Sequence, residues 1–113
     1  MDSILQSVKR YLGIPEEYTH FDQDLLIHIQ APLLELSQIG VGPPEGFDVT
    51  GQSETWTNLY GSYKNLSAVR SYVCMRVRLS FDPPTSQALI KAINDQLAEL
   101  IWRLRNEAET LGL

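Results

Sequence analysis

The chain holds a single cysteine, Cys74, among its 113 residues. That excludes an internal disulfide framework and a cysteine metal cluster. No apolar run approaches the roughly 18 residues that a membrane-spanning helix needs. Positive charge is scarce too: nine Lys and Arg stand against 14 Asp and Glu, a net charge of −5. This balance disfavours tight nucleic-acid binding, which needs a concentrated basic surface. The opening Met1-Asp-Ser-Ile-Leu-Gln-Ser-Val carries an acid where a secretory leader would carry positive charge. Synthesis and folding in a cytosol are therefore expected. There is no internal repeat and no low-complexity tract.

Signatures of catalysis are missing as well. Gly40-Val-Gly42-Pro43-Pro44-Glu-Gly46 resembles a phosphate loop only on the surface. It lacks the closing Lys-Ser/Thr, and its two prolines cannot donate the backbone N–H bonds such a loop supplies. His28 follows Asp24 by one helical turn and His20 lies near Asp22, but no third ligand stands at metal-binding spacing. Cys74 has no neighbour able to activate it and reads as a small core residue. No nucleophile elbow or comparable motif occurs. We expect no enzyme activity, no cofactor and no metal site.

What is present is a well-patterned helical chain. Its length is near the commonest domain size, and 43% of its residues are hydrophobic. One domain over residues 1–113 with a core of its own is expected. The periodicity predicts an all-α bundle of about four helices, with a Gly/Pro-rich loop between the second and third and a long last helix. The first helix is expected over Asp2–Leu12, with Ile4, Leu5, Val8, Tyr11 and Leu12 at helical spacing and Gly13 and Pro15 ending it. The second is expected from Thr19, with Asp22 in the capping-box position, to Ile39, with Gly40 as left-handed cap. Phe21, Leu25, Ile29, Leu33 and Leu36 form its main stripe, while Ile27 and Leu34 lie opposite. Pro32 removes a donor and crowds the carbonyl of His28, which predicts a kink.

Residues 40–52 read as loop, with Phe47 and Val49 pinned to the core. A short helix over Ser53–Tyr60 follows, with Trp56 and Leu59 facing in and Gly61 ending it. The third main helix is expected over Leu66–Phe81. Leu66, Val69, Val73, Val77 and Phe81 make one apolar stripe and Tyr72, Met75 and Leu79 a second. A helix apolar on two sides is either central in its own domain or shared with a neighbour. Asp82-Pro-Pro breaks the chain, and the last helix starts at Pro83–Ser86 and runs to Thr110. Its buried stripe is Leu89, Ile90, Ile93, Leu97, Leu100, Ile101 and Leu104, extended by Ala108 and Leu111.

Two features point toward covered surfaces. Charge is uneven: residues 1–56 hold nine acids against Lys9 and Arg10, while residues 57–113 hold seven bases against five acids. Opposite halves suit head-to-tail association of copies. Trp102 projects from the polar side of the last helix, and Trp is enriched among residues that dominate binding energy. Arg70 is expected to bury its stem beside Val77 and Phe81, with its head paired to the second helix, to residues 45–48 or across a subunit boundary. The candidate interface residues are therefore Trp102, Arg70, Arg76, Arg78, Tyr72, Met75 and Leu79. A small regulator that uses the third helix as a basic recognition element is the competing reading.

One resemblance runs along nearly the whole chain. It is carried by Leu12-Gly-Ile14, Phe21-Asp-Gln-Asp24 with Ile27-His-Ile29, and Gln38-Ile-Gly-Val-Gly-Pro43 with Gly46-Phe47 and Trp56. Tyr72-Val73, Arg78-Leu-Ser-Phe-Asp-Pro-Pro-Thr-Ser86 and Glu99-Leu-Ile-Trp-Arg-Leu104 complete it. In order and spacing these segments resemble the head-tail connector (adaptor) proteins of tailed bacteriophages, from which Pro32 is a departure. The resemblance implies a helical subunit that joins others in a ring, about twelve-fold to match the portal protein. The ring would sit below the portal at the head-tail junction of the virion after DNA packaging. It would dock the next head-completion (stopper) or tail protein, and DNA would pass through its channel without sequence-specific binding. The host cytoplasm would be the place of assembly, with no membrane partner.

Overall fold

A computed structural model describes residues 3–42, 49–60 and 65–110. Five helices occur among them: α1 Ile4–Leu12, α2 Asp22–Gln38, α3 Trp56–Tyr60, α4 Leu66–Phe81 and α5 Gln87–Thr110. Extended pairing among the described residues is limited to an isolated bridge between Ser3 and Thr55. The architecture is all-α, as the periodicity predicts. The expectations for Phe47, Leu111, Gly61 and the side chain of Leu59 lie outside the described residues.

The first helix ends are set by local chemistry. Ser3 accepts the backbone N–H of Gln6 on its hydroxyl and so caps α1. Gly13 adopts φ 80°, and the Gly13 and Ile14 N–H groups donate back to Arg10 and Lys9. This Schellman arrangement satisfies carbonyls that the helix leaves open. The end of α2 repeats it: Gly40 has φ 93°, and Gly40 and Val41 donate to Ser37 and Leu36.

The start of α2 differs from expectation. Its cap is Phe21, with no side-chain bond, and Thr19 contributes only a backbone carbonyl to the N–H of Asp22. The Asp22 carboxylate is occupied instead by Lys9, 2.9 Å away. An ammonium competes well for a carboxylate against a backbone amide, so the capping box does not form. The helix runs unbroken past Pro32, which is buried.

α4 is the hub. Val69, Val73 and Val77 are buried on one stripe, and Tyr72 and Met75 on the other. α1, α2, α3 and α5 all pack against it. Its two-sided apolar pattern is thus explained within the subunit. Leu25, Ile29, Leu33 and Leu36 of α2 enter the same cluster, together with Ile4, Leu5, Val8, Val49 and Trp56. The Trp56 indole N–H donates to Ser7 Oγ at 3.0 Å, which seats α3 on α1.

α5 departs from its predicted stripe at one end. Leu97, Leu104 and Ala108 are buried, and Ile93, Leu100 and Ile101 pack partly on the core. Leu89, expected inside, is 46% exposed. The helix starts at Gln87 rather than at Pro83–Ser86, and Ser86 Oγ accepts the Leu89 N–H. Asn65, just before α4, donates to Glu107 near the end of α5, so the two helices run antiparallel. α4 has 16 residues and α5 has 24, so in that register the first turn of α5 has no α4 opposite it. Leu89 lies on this overhanging turn.

Candidate functional site

The described residues gather no three His, Cys, Asp or Glu side chains at metal-binding distance. The polar groups that do meet are structural. Lys9 is the most buried of them, with 0% of its side chain exposed. Its Nζ donates to the carbonyls of Glu16 at 2.9 Å and Tyr18 at 2.7 Å and pairs with Asp22 Oδ1 at 2.9 Å. Two of its N–H donors thus meet carbonyls, and the Asp22 carboxylate lies close enough to balance its charge. Lys9 thereby ties the end of α1, the 14–21 turn and the start of α2 together. On sequence alone Lys9 counts only among the charges of the first half, and this role is missed. The available signal was its position four residues after Leu5, on the buried side.

A second network joins α2 to α4. Arg76 Nε donates to Glu35 Oε1 at 3.0 Å, its Nη2 pairs with Oε2, and the Tyr72 hydroxyl donates to Oε1 at 2.8 Å. The Arg76 hydrogen bond holds the Glu35 carboxyl below the usual carboxylate range, with Tyr72 acting in the same sense. Burial, and then the Glu35 carboxylate, push the Tyr72 phenol up to about 12. Two of the sequence-predicted interface residues are thus bonded within the subunit.

The remaining candidates separate by place. Met75 is buried, and Leu79 packs partly on the core. Arg78 is half-buried. Arg70 is exposed, contrary to the expectation of a buried stem. Farther along the same α4 face the Phe81 ring packs edge-on against Phe21 at 5.4 Å, whereas the face is exposed at the level of Arg70. There the face opens into a groove of about 650 Å³ between α1 and α5. Cys74 lies on the groove floor, where burial raises its thiol to about 11 despite the opposing field of Arg70, so it stays protonated. Trp102 stands on the outward side of α5, 62% exposed, and Lys91 is held by Asp95 rather than by the indole. Ile27 and Leu34, on the outer face of α2, are 70% and 57% exposed.

This arrangement offers apolar contact surface and few reactive groups. The family model described as phage connector protein matches residues 4–110. The chain belongs to the phage connector protein family. No curated protein and no solved structure matches it. The family is structural rather than enzymatic, which makes the connector a structural component of a phage. No helix among its described residues is long and apolar enough to cross a membrane.

Proposed function

We propose that the connector oligomerises into a ring below the portal after DNA packaging and docks the next head-completion or tail protein. DNA passes through the ring's channel and is not chemically altered. The observation that carries this reading is Trp102, 62% exposed on the side of α5 that faces away from the core. Its Ala98 neighbour, one turn earlier, is also exposed, so the indole has open approach on that side. A large aromatic contributes more when a partner covers it than when water does, and such residues anchor interfaces.

A ring needs two different surfaces on one chain that meet by rotation. The opposite charge of the two halves of the sequence supports that requirement. The net charge of −5 suits a channel through which DNA slides, since each phosphate contact would add to binding. The regulator reading draws little support. Its recognition helix would be α4, which is enclosed by its neighbours and has Arg76 committed to Glu35.

The test is Trp102→Ala. It should weaken ring formation or virion completion far more than it lowers the melting temperature. Equal loss of assembly and of thermal stability would assign Trp102 to the fold and refute the reading.

A further inference from the structure

The three arginines of α4 differ in what holds them. Arg76 is bound by Glu35 through two nitrogens. Arg70, although exposed, has an interaction of its own. Arg78 is half-buried, and its Nε is sealed from solvent without any acceptor. Among the described residues nothing pairs with its guanidinium.

Helix geometry gives its place. Arg78 stands one turn beyond Cys74 and Met75 on the same side of α4. Those two line the groove between α1 and α5, so Arg78 lies past them toward the Asp82-Pro-Pro break. The bond from Asn65 to Glu107 sets the antiparallel register of α4 and α5. At equal rise per residue Arg78 is then level with about Asn94. The acids of the helices packed on α4 are engaged elsewhere. Asp95 is held by Lys91, Glu99 by Arg103, Glu35 by Arg76 and Asp22 by Lys9. α1 contains no acid. Asp82, four residues on, has left the helix at φ −146° and ψ 68°, and neither it nor Asp24 forms an ion pair with Arg78.

A guanidinium carries five N–H donors and does not give up its charge. Holding one half-buried without an acceptor costs free energy, whereas a Met at the same place would supply the apolar stem without that cost. We infer that Arg78 is completed from outside the subunit, by a carboxylate side chain of a neighbouring protein in the assembled particle. One recessed guanidinium matches one carboxylate, which it can meet through two parallel N–H groups. A nucleic-acid backbone is the poorer match. Phosphates call for several bases together, but here Lys91 is neutralised by Asp95 and Asp82 adds negative charge one turn away. The inference rests on the reading that the connector works by contact with other protein, and it does not require a ring.

Two variants of the full chain test it. Arg78→Met keeps the stem and removes the charge. Its melting temperature should equal or exceed that of the wild type, while the yield of completed particles falls at least about tenfold. Arg78→Lys is mixed with wild-type subunits so that particles form, and these are treated with a carbodiimide, which joins an amine to a carboxylate that it touches. Mass spectrometry of a band larger than one subunit should find position 78 bonded to an Asp or Glu. The peptide that carries this acid names its source, a second copy or another protein. No bond at position 78, or one confined to a band of single-subunit size, would overturn the inference. So would a lower melting temperature for Arg78→Met, which would mean an internal partner. Salt-sensitive retention of duplex DNA that Arg78→Met abolishes would assign the charge to phosphate and overturn it as well. An unchanged particle yield would overturn it and leave the ring reading standing.

Discussion

Lys9→Met is the sharpest test of what holds the subunit together. The substitution keeps the apolar stem and removes the ammonium, which is completely enclosed. Left behind are the Glu16 and Tyr18 carbonyls and the Asp22 carboxylate, which is 15% exposed. Removing one partner of a buried ion pair costs about 3–5 kcal/mol, because the other charge stays buried without compensation. Asp22 retains some access to water, which puts the expectation at about 3 kcal/mol. For a domain of this size, 1 kcal/mol shifts the melting temperature by about 4 °C, so a fall of about 12 °C is expected. Urea unfolding followed by circular dichroism measures the loss, with Arg10→Met as control. The Arg10 pair with Glu16, at 3.3 Å, is more than half exposed on both sides and should matter by less than about 0.5 kcal/mol. A second arm, Asp22→Leu combined with Lys9→Met, should recover part of the loss, since no isolated carboxylate then remains. The reasoning is refuted if Lys9→Met unfolds within about 1 kcal/mol of the wild type.

Other consequences can be measured on the same footing. Trp102→Ala should change stability by less than about 0.5 kcal/mol, in line with other exposed sites, while lowering the yield of assembled rings or completed particles. Glu35 has a depressed carboxyl pKa in the folded state, so its contribution is present above the unfolded value of 4.5 and fades as pH falls through the folded one. Glu35→Gln should therefore cost about 1 kcal/mol near pH 7, and thermal melts of the two proteins should converge in acid. Gly13→Ala should destabilise by about 1 kcal/mol through its φ of 80° alone, because a Cβ there meets no atom within 4 Å. A much larger loss in chemical denaturation would mean that the turn is packed after all.

The parts of the fold that were legible in the sequence are those decided by neighbours in the chain. Gly13 and Gly40 stop their helices because a left-handed residue is needed at that point, and glycine meets the need at least cost. Leu66–Phe81 reads correctly because its two apolar stripes are long and its break at Asp82-Pro-Pro is sharp. Lys9 is passed over and Asp22 misassigned for the opposite reason. Two of the Lys9 acceptors are backbone carbonyls, which leave no mark on the sequence, and its carboxylate partner reads locally as a cap. Glu35 and Arg76 are 41 positions apart, and only the packing of α2 on α4 pairs them. Leu89 fails on length, since it lies on the turn of α5 that overhangs α4, and Arg70 fails because α1 and α5 stand apart over its face and leave a groove.

That last failure bears on function. Single exposed hydrophobic residues are normal on a folded protein and require no account. The connector's core is filled without Ile27, Leu34, Leu89 or Trp102, so folding has no need of an apolar side chain at any of them. Ile27, Ala31 and Leu34 nevertheless line up on one ridge, and Leu89 continues the wall of a groove on the other side of α4. Apolar side chains aligned on surfaces that the fold does not use are what contact with another protein would require.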